Sequence, residues 1–478
     1  MKKTIYILLA AMGLASCDYL EIDPVGKVIP HKVSEFRGML TDGYNNYAKN
    51  HGKRYLGVLS DEVGTLVAKE LSNNSLSVGL PYNFTWQYNS QMYENDYQYS
   101  YRTIFYANAV IDGAPKADDD SSGESKEQII GEAYAIRAYV HFDLVNIYGK
   151  PYDPATAATD RGIVLSTYTD IEQKYRPTNV AAVYKQILDD IEQAENYLKV
   201  ENYLTIEDTK ERGKLNYRFT RDALQALKAR VLLYMRDWQG AYDAAVGLLP
   251  KYKLVDFNTL SVSESTGKGS NYDAALPWKQ TSEEAILAWE CPFQGSSSND
   301  LIYACQLSDR LLGLFDVKEK LVDEKKRLYS EDLRYNYIAA RDAGFIVGRP
   351  YTDRASLRIA EMYLIAAEAG SYLPAELDNA RNYLLDLQKM RFSADGYAAK
   401  KTAVEAMTAE QLRAEVADDR AREFPLEGGH RWFDLRRTTR PSITKTYDGQ
   451  TYTLGQNDPR YTLPFPQSAV NDNPELNN

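Results

Sequence analysis

The chain has 478 residues, enough for about two to four domain-sized units. Its 56 Lys and Arg against 67 Asp and Glu give a formal net charge of −11, which argues against a general nucleic-acid binder because neutralising phosphates requires a basic face. The apolar share of 44% and charged share of 26% are those of an ordinary globular protein, and the 38 tyrosines are the unusual feature. Such an excess indicates either mixed packing surfaces or a wet recognition surface.

The first residues have the pattern of a secretory signal. Two lysines precede an apolar run from Ile5 to Leu14, which is about half as long as a membrane-spanning helix. Leu14-Ala15-Ser16-Cys17 then looks like a bacterial lipobox. We therefore expect residues 1–16 to be a lipoprotein signal peptide, Cys17 to be the lipidated first residue of the mature chain, and residues 17–30 to be a tether. The alternative is an ordinary signal peptide with an incidental cysteine.

Long segments downstream show helical periodicity. The longest predicted helix begins after Ser125, which can form a capping box with Gln128, and it ends before Gly149 and Pro151. Thr220 is expected to cap another helix, which is centred on Leu224–Tyr234. The remaining predicted helices are centred on Val183–Leu198, Trp238–Leu248, Leu357–Glu368 and Glu376–Met390. We expect the last two to form an antiparallel hairpin.

Adjacent helices of this length resemble tetratricopeptide (TPR) hairpins, so the predicted scaffold is TPR-like. Three segments between the helices, 60–91, 151–176 and 257–308, are neither helical nor of low complexity. Glu284 to Phe293 predicts a short strand within the last of them. Insertions of this kind on a helical scaffold typically carry the function.

No catalytic motif is evident in the sequence. The four histidines form no H-E-x-x-H pair, there is no G-x-S-x-G elbow, and Gly267-Lys268-Gly269-Ser270 lacks the other residues of a phosphate-binding loop. We therefore expect no enzyme activity, no metal and no cofactor. An unrecognised hydrolase stays an alternative, because catalytic residues need not be adjacent in sequence.

Two cysteines remain after Cys17. Cys291 and Cys305 could form a disulfide that closes a short loop and contributes ~3 kcal/mol, or they could be two separate buried thiols. Neither has a histidine or a second cysteine at metal-ligand spacing.

Aromatic residues give the positive signal. Nine of them lie between Phe84 and Tyr106, and Tyr97, Tyr101 and Phe105 have helical spacing that predicts packing into a core. Tyr82, Trp86 and Tyr88 instead alternate with amide side chains. Together with Trp278, which also lies in an irregular segment, they are the candidate ligand-binding residues, since sugar rings stack on aromatic faces and their hydroxyls pair with amides. The same surface could hold an extended peptide.

The chain as a whole resembles the SusD/RagB family of outer-membrane nutrient-binding lipoproteins. Matching motifs follow one another from the lipobox to the C-terminus, and the most specific is Arg420-Ala421-Arg422-Glu423-Phe424 with the later Arg431-Trp432-Phe433-Asp434-Leu435-Arg436. The others are Tyr101–Asn108, Glu132–Tyr139, Ala229–Tyr234, Leu357–Ala369 and Leu463–Gln467. The charged residues between Glu423 and Arg437 are expected to form structural ion pairs.

The resemblance implies a mainly α, SusD-like fold with four TPR-like helical hairpins and an irregular, ligand-binding capping subdomain with short strands. It implies one domain over residues 31–478, with helices mainly within 93–250 and 353–392, a cap from 51–91 and 257–350, and a closing segment over 408–478. We refer to those two predicted capping segments as the cap.

The function that the resemblance implies is capture of an oligosaccharide at the cell surface and its delivery to a SusC-like TonB-dependent transporter of the outer membrane. A peptide is the alternative ligand. A scaffold that binds only the transporter is an alternative of another class. The matching motifs belong to the scaffold, so the resemblance assigns no ligand-contacting residue.

Overall fold

The computed structural model describes residues 30–67, 79–88, 94–169, 175–263, 266–270, 273–291, 304–322, 325–341, 344–347 and 354–477. The predicted signal peptide and Cys17 lie outside these residues. Within them, no helix is both long enough and apolar enough to cross a membrane.

Helices dominate the described chain, and eight of them pack as four consecutive pairs. The pairs are Val33–Lys49 (α1) with Glu94–Gly113 (α4), Lys126–Tyr148 (α5) with Val180–Tyr197 (α6), Arg221–Met235 (α8) with Trp238–Val246 (α9), and Ile359–Gly370 (α11) with Leu377–Lys389 (α12). The shorter or later helices are Leu56–Leu59 (α2), Leu80–Phe84 (α3), Thr209–Leu215 (α7), Asp309–Gly313 (α10), Ala394–Glu405 (α13), Ala409–Glu423 (α14), His430–Arg437 (α15) and Gln467–Asp472 (α16). The mainly α prediction is confirmed.

Helix ends lie where the sequence predicts them. The Ser125 hydroxyl accepts a hydrogen bond from the Gln128 amide at 3.2 Å and begins α5, and Thr220 caps α8 in the same way. Arg236 takes a left-handed conformation with φ of 63°, which ends α8 and lets α9 start two residues later. The predicted starts of α5 and α8 are confirmed. The predicted capping box is not formed, because the Gln128 side-chain oxygen accepts from the Lys199 and Val200 amides instead.

Short strands connect the helices. They form six two-stranded antiparallel sheets within the described residues. The pairs are Val63–Leu66 (β1) with Cys305–Leu307 (β5), Arg161–Val164 (β2) with Pro177–Asn179 (β3), Ala285–Leu287 (β4) with Leu357–Arg358 (β10), Lys318–Val322 (β6) with Lys325–Tyr329 (β7), Ile338–Arg341 (β8) with Gly344–Val347 (β9), and Ile443–Tyr447 (β11) with Gln450–Leu454 (β12). Of the strand predicted over 284–293, residues 292–293 lie outside the described residues, and within 284–291 only Ala285–Leu287 is a strand, paired with the two residues of β10.

Tyrosines fill much of the core beneath the first helical pair. Trp289 is fully buried, its ring lies 5.0–5.3 Å from those of Tyr44, Tyr47 and Tyr139, and its indole N–H donates to the Tyr44 carbonyl at 2.8 Å. Since Trp289 follows β4, this packing joins the predicted cap to α1 and α5. Trp289 is therefore a packing residue of the core.

A buried ion cluster ties the cap to the later helices. The fully buried Arg391 guanidinium donates to Glu284 at 2.7 Å and to Glu423 at 2.9 Å. Arg358 and Arg334 also bind Glu423, at 2.8 and 2.9 Å. Although burial opposes its ionisation, these three guanidinium groups hold the pKa of Glu423 well below its ordinary value. The prediction of structural ion pairs is confirmed for Glu423.

Candidate functional site

The segment 79–88 carries three of the candidate ligand-binding residues. Leu80 and Phe84 are buried and hold the short helix α3 against the protein. Tyr82 points the other way, with 40% of its surface exposed. It therefore presents an aromatic face to solvent beside the exposed Gln87 and the buried Asn83, as a stacking residue requires.

Trp86 lies on the inner side of this segment. Its ring is 2% exposed, and its indole N–H donates to the Leu59 carbonyl at 2.9 Å. Its backbone φ is 56°, a left-handed conformation that costs free energy for a bulky residue and that the surrounding packing must maintain. The predicted exposed stacking surface is thus corrected at this position, because the segment is the short helix α3 followed by a left-handed residue rather than an alternating strand, and this backbone turns Trp86 inward while Tyr82 faces out.

An ammonium group lies against the Trp86 ring. The Lys445 nitrogen is 4.9 Å from the centroid of Trp86 and 4.5 Å from that of Phe84, and it donates to the Val58 carbonyl at 2.6 Å. Burial lowers the pKa of Lys445 to about 7 and raises that of nearby Glu62 to about 8. Both groups are enclosed, so they support the Trp86 segment rather than face a ligand.

Tyr88 and Trp278 are also held by the protein. The Tyr88 hydroxyl donates to the Arg460 carbonyl at 2.6 Å, which anchors the end of the segment to the C-terminal part of the chain. Trp278 is 6% exposed and packs edge-on against Tyr337 with ring centroids 5.8 Å apart. It borders a cavity of about 20 Å³, room for about one water molecule. The structure does not bring Trp278 to the surface as a stacking platform.

The two cysteines are buried thiols, and no disulfide joins them. Burial raises the pKa of Cys305 to about 12, so its thiol stays protonated at neutral pH. The arrangement corresponds to the alternative of two separate thiols. Among the described residues, no group of three or more His, Cys, Asp or Glu side chains is placed to hold a metal ion.

A second aromatic surface lies along α4. Tyr97, Tyr101 and Phe105 follow one another at four-residue spacing and face a cleft of about 600 Å³, which we call the aromatic cleft. Its other walls are Val164, Ser166 and Tyr175 from the β2–β3 region and Ser468, Ala469, Asp472, Asn473 and Leu476 from the C-terminal segment. The sequence shows the aromatic spacing, and only the fold brings the other two walls to it.

Two family models match the chain in sequence order. A SusD-like model, described as "Starch-binding associating with outer membrane", matches residues 18–233, and the SusD family model matches residues 347–478. The chain belongs to the SusD/RagB family. A curated SusD-like protein of Formosa agariphila is 28% identical over 153 residues, and this alignment covers 31% of the present chain and 25% of that protein.

Solved SusD structures share the fold over almost the whole chain. A SusD superfamily protein of Bacteroides thetaiotaomicron has a TM-score of 0.70 at 19% identity, with 93% of this chain and 99% of that one covered. A SusD-like carbohydrate binding protein of Bacteroides vulgatus has a TM-score of 0.62 at 18% identity, with 93% and 97% covered. At these identities the comparison establishes the SusD fold, and the residues that contact a ligand must be argued from this chain.

Proposed function

We propose that the protein is a lipid-anchored binding protein of the cell surface, which captures an oligosaccharide and delivers it to a SusC-like TonB-dependent transporter. The observation that carries the proposal is the match of two SusD family models in order along a chain whose fold is SusD-like over 93% of its length. The neighbouring structure from Bacteroides vulgatus is named as a carbohydrate binder, which favours a glycan over a peptide. Capture and delivery need no catalytic residue.

For the ligand-contacting surface we propose the face around Tyr82. Its ring is exposed, whereas Trp86 and Tyr88 lie behind it and fix the backbone through their hydrogen bonds to Leu59 and Arg460. Trp278 acts in the same supporting way in the cap, through its packing on Tyr337. Of the four candidates, Tyr82 is therefore the direct contact, Trp86 and Tyr88 hold its segment in place, and Trp278 packs inside the cap.

Tyr82→Ala tests this surface. We expect glycan binding to weaken about tenfold, a loss of ~1.4 kcal/mol, because an exposed ring that stacks on a sugar is removed with little effect on folding. Isothermal titration with fractionated neutral glycans and with peptides measures the change and identifies the ligand class. Tyr372→Ala is the matched control, since Tyr372 is 41% exposed on the helical scaffold.

The outcomes separate the candidate functions. Tight peptide binding without glycan binding would replace the oligosaccharide with a peptide, and release of sugar products would indicate a hydrolase. If the wild-type protein binds neither glycans nor peptides, the remaining candidate function is a scaffold that binds only the transporter. Unchanged glycan affinity in Tyr82→Ala would remove Tyr82 from the binding surface while leaving the function in place.

Cys17→Ser tests the anchor. A serine cannot take the thioether-linked lipid, so we expect the variant to move from the membrane fraction to the soluble fraction of secreted or periplasmic protein. Fractionation followed by immunoblotting measures the shift, with Cys291→Ser as the control because Cys291 is buried and distant in sequence from the lipobox. Retention of Cys17→Ser in the membrane at the wild-type level would contradict lipid anchoring at this residue.

A further inference from the structure

The aromatic cleft has the size and the lining of a ligand site. Its volume of about 600 Å³ lies within the ~300–1,000 Å³ typical of small-molecule sites. Tyr97 and Tyr101 are half-buried, with ring centroids 4.8 Å apart, and Phe105 is 39% exposed one turn further along α4. These rings give one wall a continuous apolar face that ends in solvent.

We infer that the aromatic cleft is a binding site for a short neutral oligosaccharide, separate from the surface around Tyr82. The ligand class rests on the proposed function, and the position rests on the geometry of the cleft. The aromatic wall offers ring faces to the C–H faces of sugars, while the exposed Gln98 on α4 and the half-buried Ser468 and exposed Asp472 on α16 offer polar groups to sugar hydroxyls.

The walls of the cleft are fixed by buried hydrogen bonds. The Tyr101 hydroxyl donates to the Val164 carbonyl at 3.0 Å, and the Asn108 amide donates to the Ser166 carbonyl at 3.2 Å. Arg137 donates to the Asn108 oxygen at 2.8 Å and holds that amide in its orientation. A cleft that is already formed loses less conformational entropy when a ligand binds.

The wall from the C-terminal segment is also connected to the wall from the β2–β3 region by polar contacts. The Asn473 amide donates to the Tyr175 carbonyl at 2.6 Å, and Arg176 forms an ion pair with Glu475 at 3.1 Å. The C-terminal segment is therefore held across the cleft from α4, so the three walls keep a constant separation.

The same contacts favour a sugar over an extended peptide. A peptide that lies along a strand is bound chiefly by backbone hydrogen bonds. Here the carbonyls of Val164, Ser166 and Tyr175 already accept protein hydrogen bonds, and the Ser166 amide lies 3.4 Å from the His141 ring nitrogen. The groups of the cleft that remain available to a ligand are aromatic faces and polar side chains, and these are the groups that bind sugars.

The charges of the lining residues further restrict the class of ligand that the cleft can bind. Neither Lys nor Arg is among the described residues that line the cleft, and Asp472 is its one acidic residue. A uronate or a sulfated sugar would meet a carboxylate and no cation, so an uncharged glycan fits best.

Two variants of the cleft test the inference. Phe105→Ala removes the most exposed ring of the aromatic wall. Ala469→Trp places a large ring in the cleft from the half-buried face of α16 and leaves the other wall residues unchanged. The probes are neutral gluco-, xylo-, manno- and galacto-oligosaccharides, titrated by calorimetry into the full mature chain. We expect affinity for one of them to fall about tenfold in Phe105→Ala and to be lost in Ala469→Trp, with Tyr82→Ala unchanged at this site.

The failures of the two proposals are distinguishable. Wild-type protein that binds none of the glycans would overturn both the proposed function and this site. Wild-type protein that binds a glycan with the same affinity as both cleft variants would overturn the cleft alone. Hydrogen exchange of the wild type with the bound probe is the second measurement, which needs no variant to fold. We expect protection over 97–105 and 468–476, and protection confined to 79–88 would overturn the inference.

Discussion

Arg391→Ala is expected to lower the free energy of unfolding by about 3–5 kcal/mol. Its guanidinium is fully buried and binds Glu284, Glu423 and the Val255 carbonyl at 2.7–2.9 Å. Removing it leaves two buried carboxylates short of a partner, and an uncompensated buried charge costs far more than a surface ion pair contributes. Urea denaturation of the purified mature chain measures the difference.

The matched control for Arg391 is an ion pair of similar length at the surface. Lys185 lies 2.6 Å from Asp189 with 75% and 46% of the two side chains exposed, so Lys185→Ala is expected to change stability by less than ~0.5 kcal/mol. Because the pKa of Glu423 is lowered in the fold, the stabilisation is present above the ordinary carboxyl pKa and is lost as the pH falls toward the lowered value. Equal losses in the two variants would show that the buried cluster is solvated.

Trp86→Ala is expected to lower the free energy of unfolding by about 3–5 kcal/mol as well. The substitution removes a ring that is 2% exposed, its N–H bond to Leu59 and its contact with the Lys445 ammonium, and it leaves a cavity. Thermal and urea unfolding measure the loss. Trp86→Phe keeps most of the ring and loses the hydrogen bond, so a smaller loss of about 1–2 kcal/mol is expected.

This second prediction also decides the role of Trp86. A variant that keeps wild-type stability and loses glycan affinity would make Trp86 a ligand contact, in contradiction to its buried position. A variant that loses stability and keeps its affinity when folded would establish Trp86 as the support of the surface that Tyr82 presents.

The scaffold could be predicted from the sequence wherever local signals agree. Ser125 and Thr220 mark helix starts with their side chains, and Gly149 ends α5, so these boundaries follow from capping chemistry. The first helix, α1, was missed. Its buried residues Val33, Phe36, Leu40, Tyr44 and Tyr47 do have helical spacing, but many polar residues and two glycines separate them.

The candidate sites could be predicted only in part, because they depend on contacts distant in sequence. The alternation around Trp86 predicts one shared face for Tyr82, Trp86 and Tyr88, but α3 and the left-handed backbone of Trp86 break it. Contacts with Lys445 and Leu59, both distant in sequence, hold the Trp86 ring inside. The spacing of Tyr97, Tyr101 and Phe105 predicts packing, which holds for the half-buried pair. The cleft in front of them needs walls from Val164, Ser166 and Tyr175 and from the C-terminal segment, and their approach is a property of the fold.

The buried ion cluster restricts how the protein can move. Glu284 and Arg334 belong to the predicted cap, and Arg391 and Glu423 belong to the helical scaffold. Hinge motion between the two parts would have to separate these groups and leave several charges at once exposed or buried without a partner, at a cost of several kcal/mol. In the proposed function, ligand uptake and release are therefore expected to proceed with the cap and the scaffold as one rigid body, so that any opening occurs at the boundary between this body and the proposed transporter.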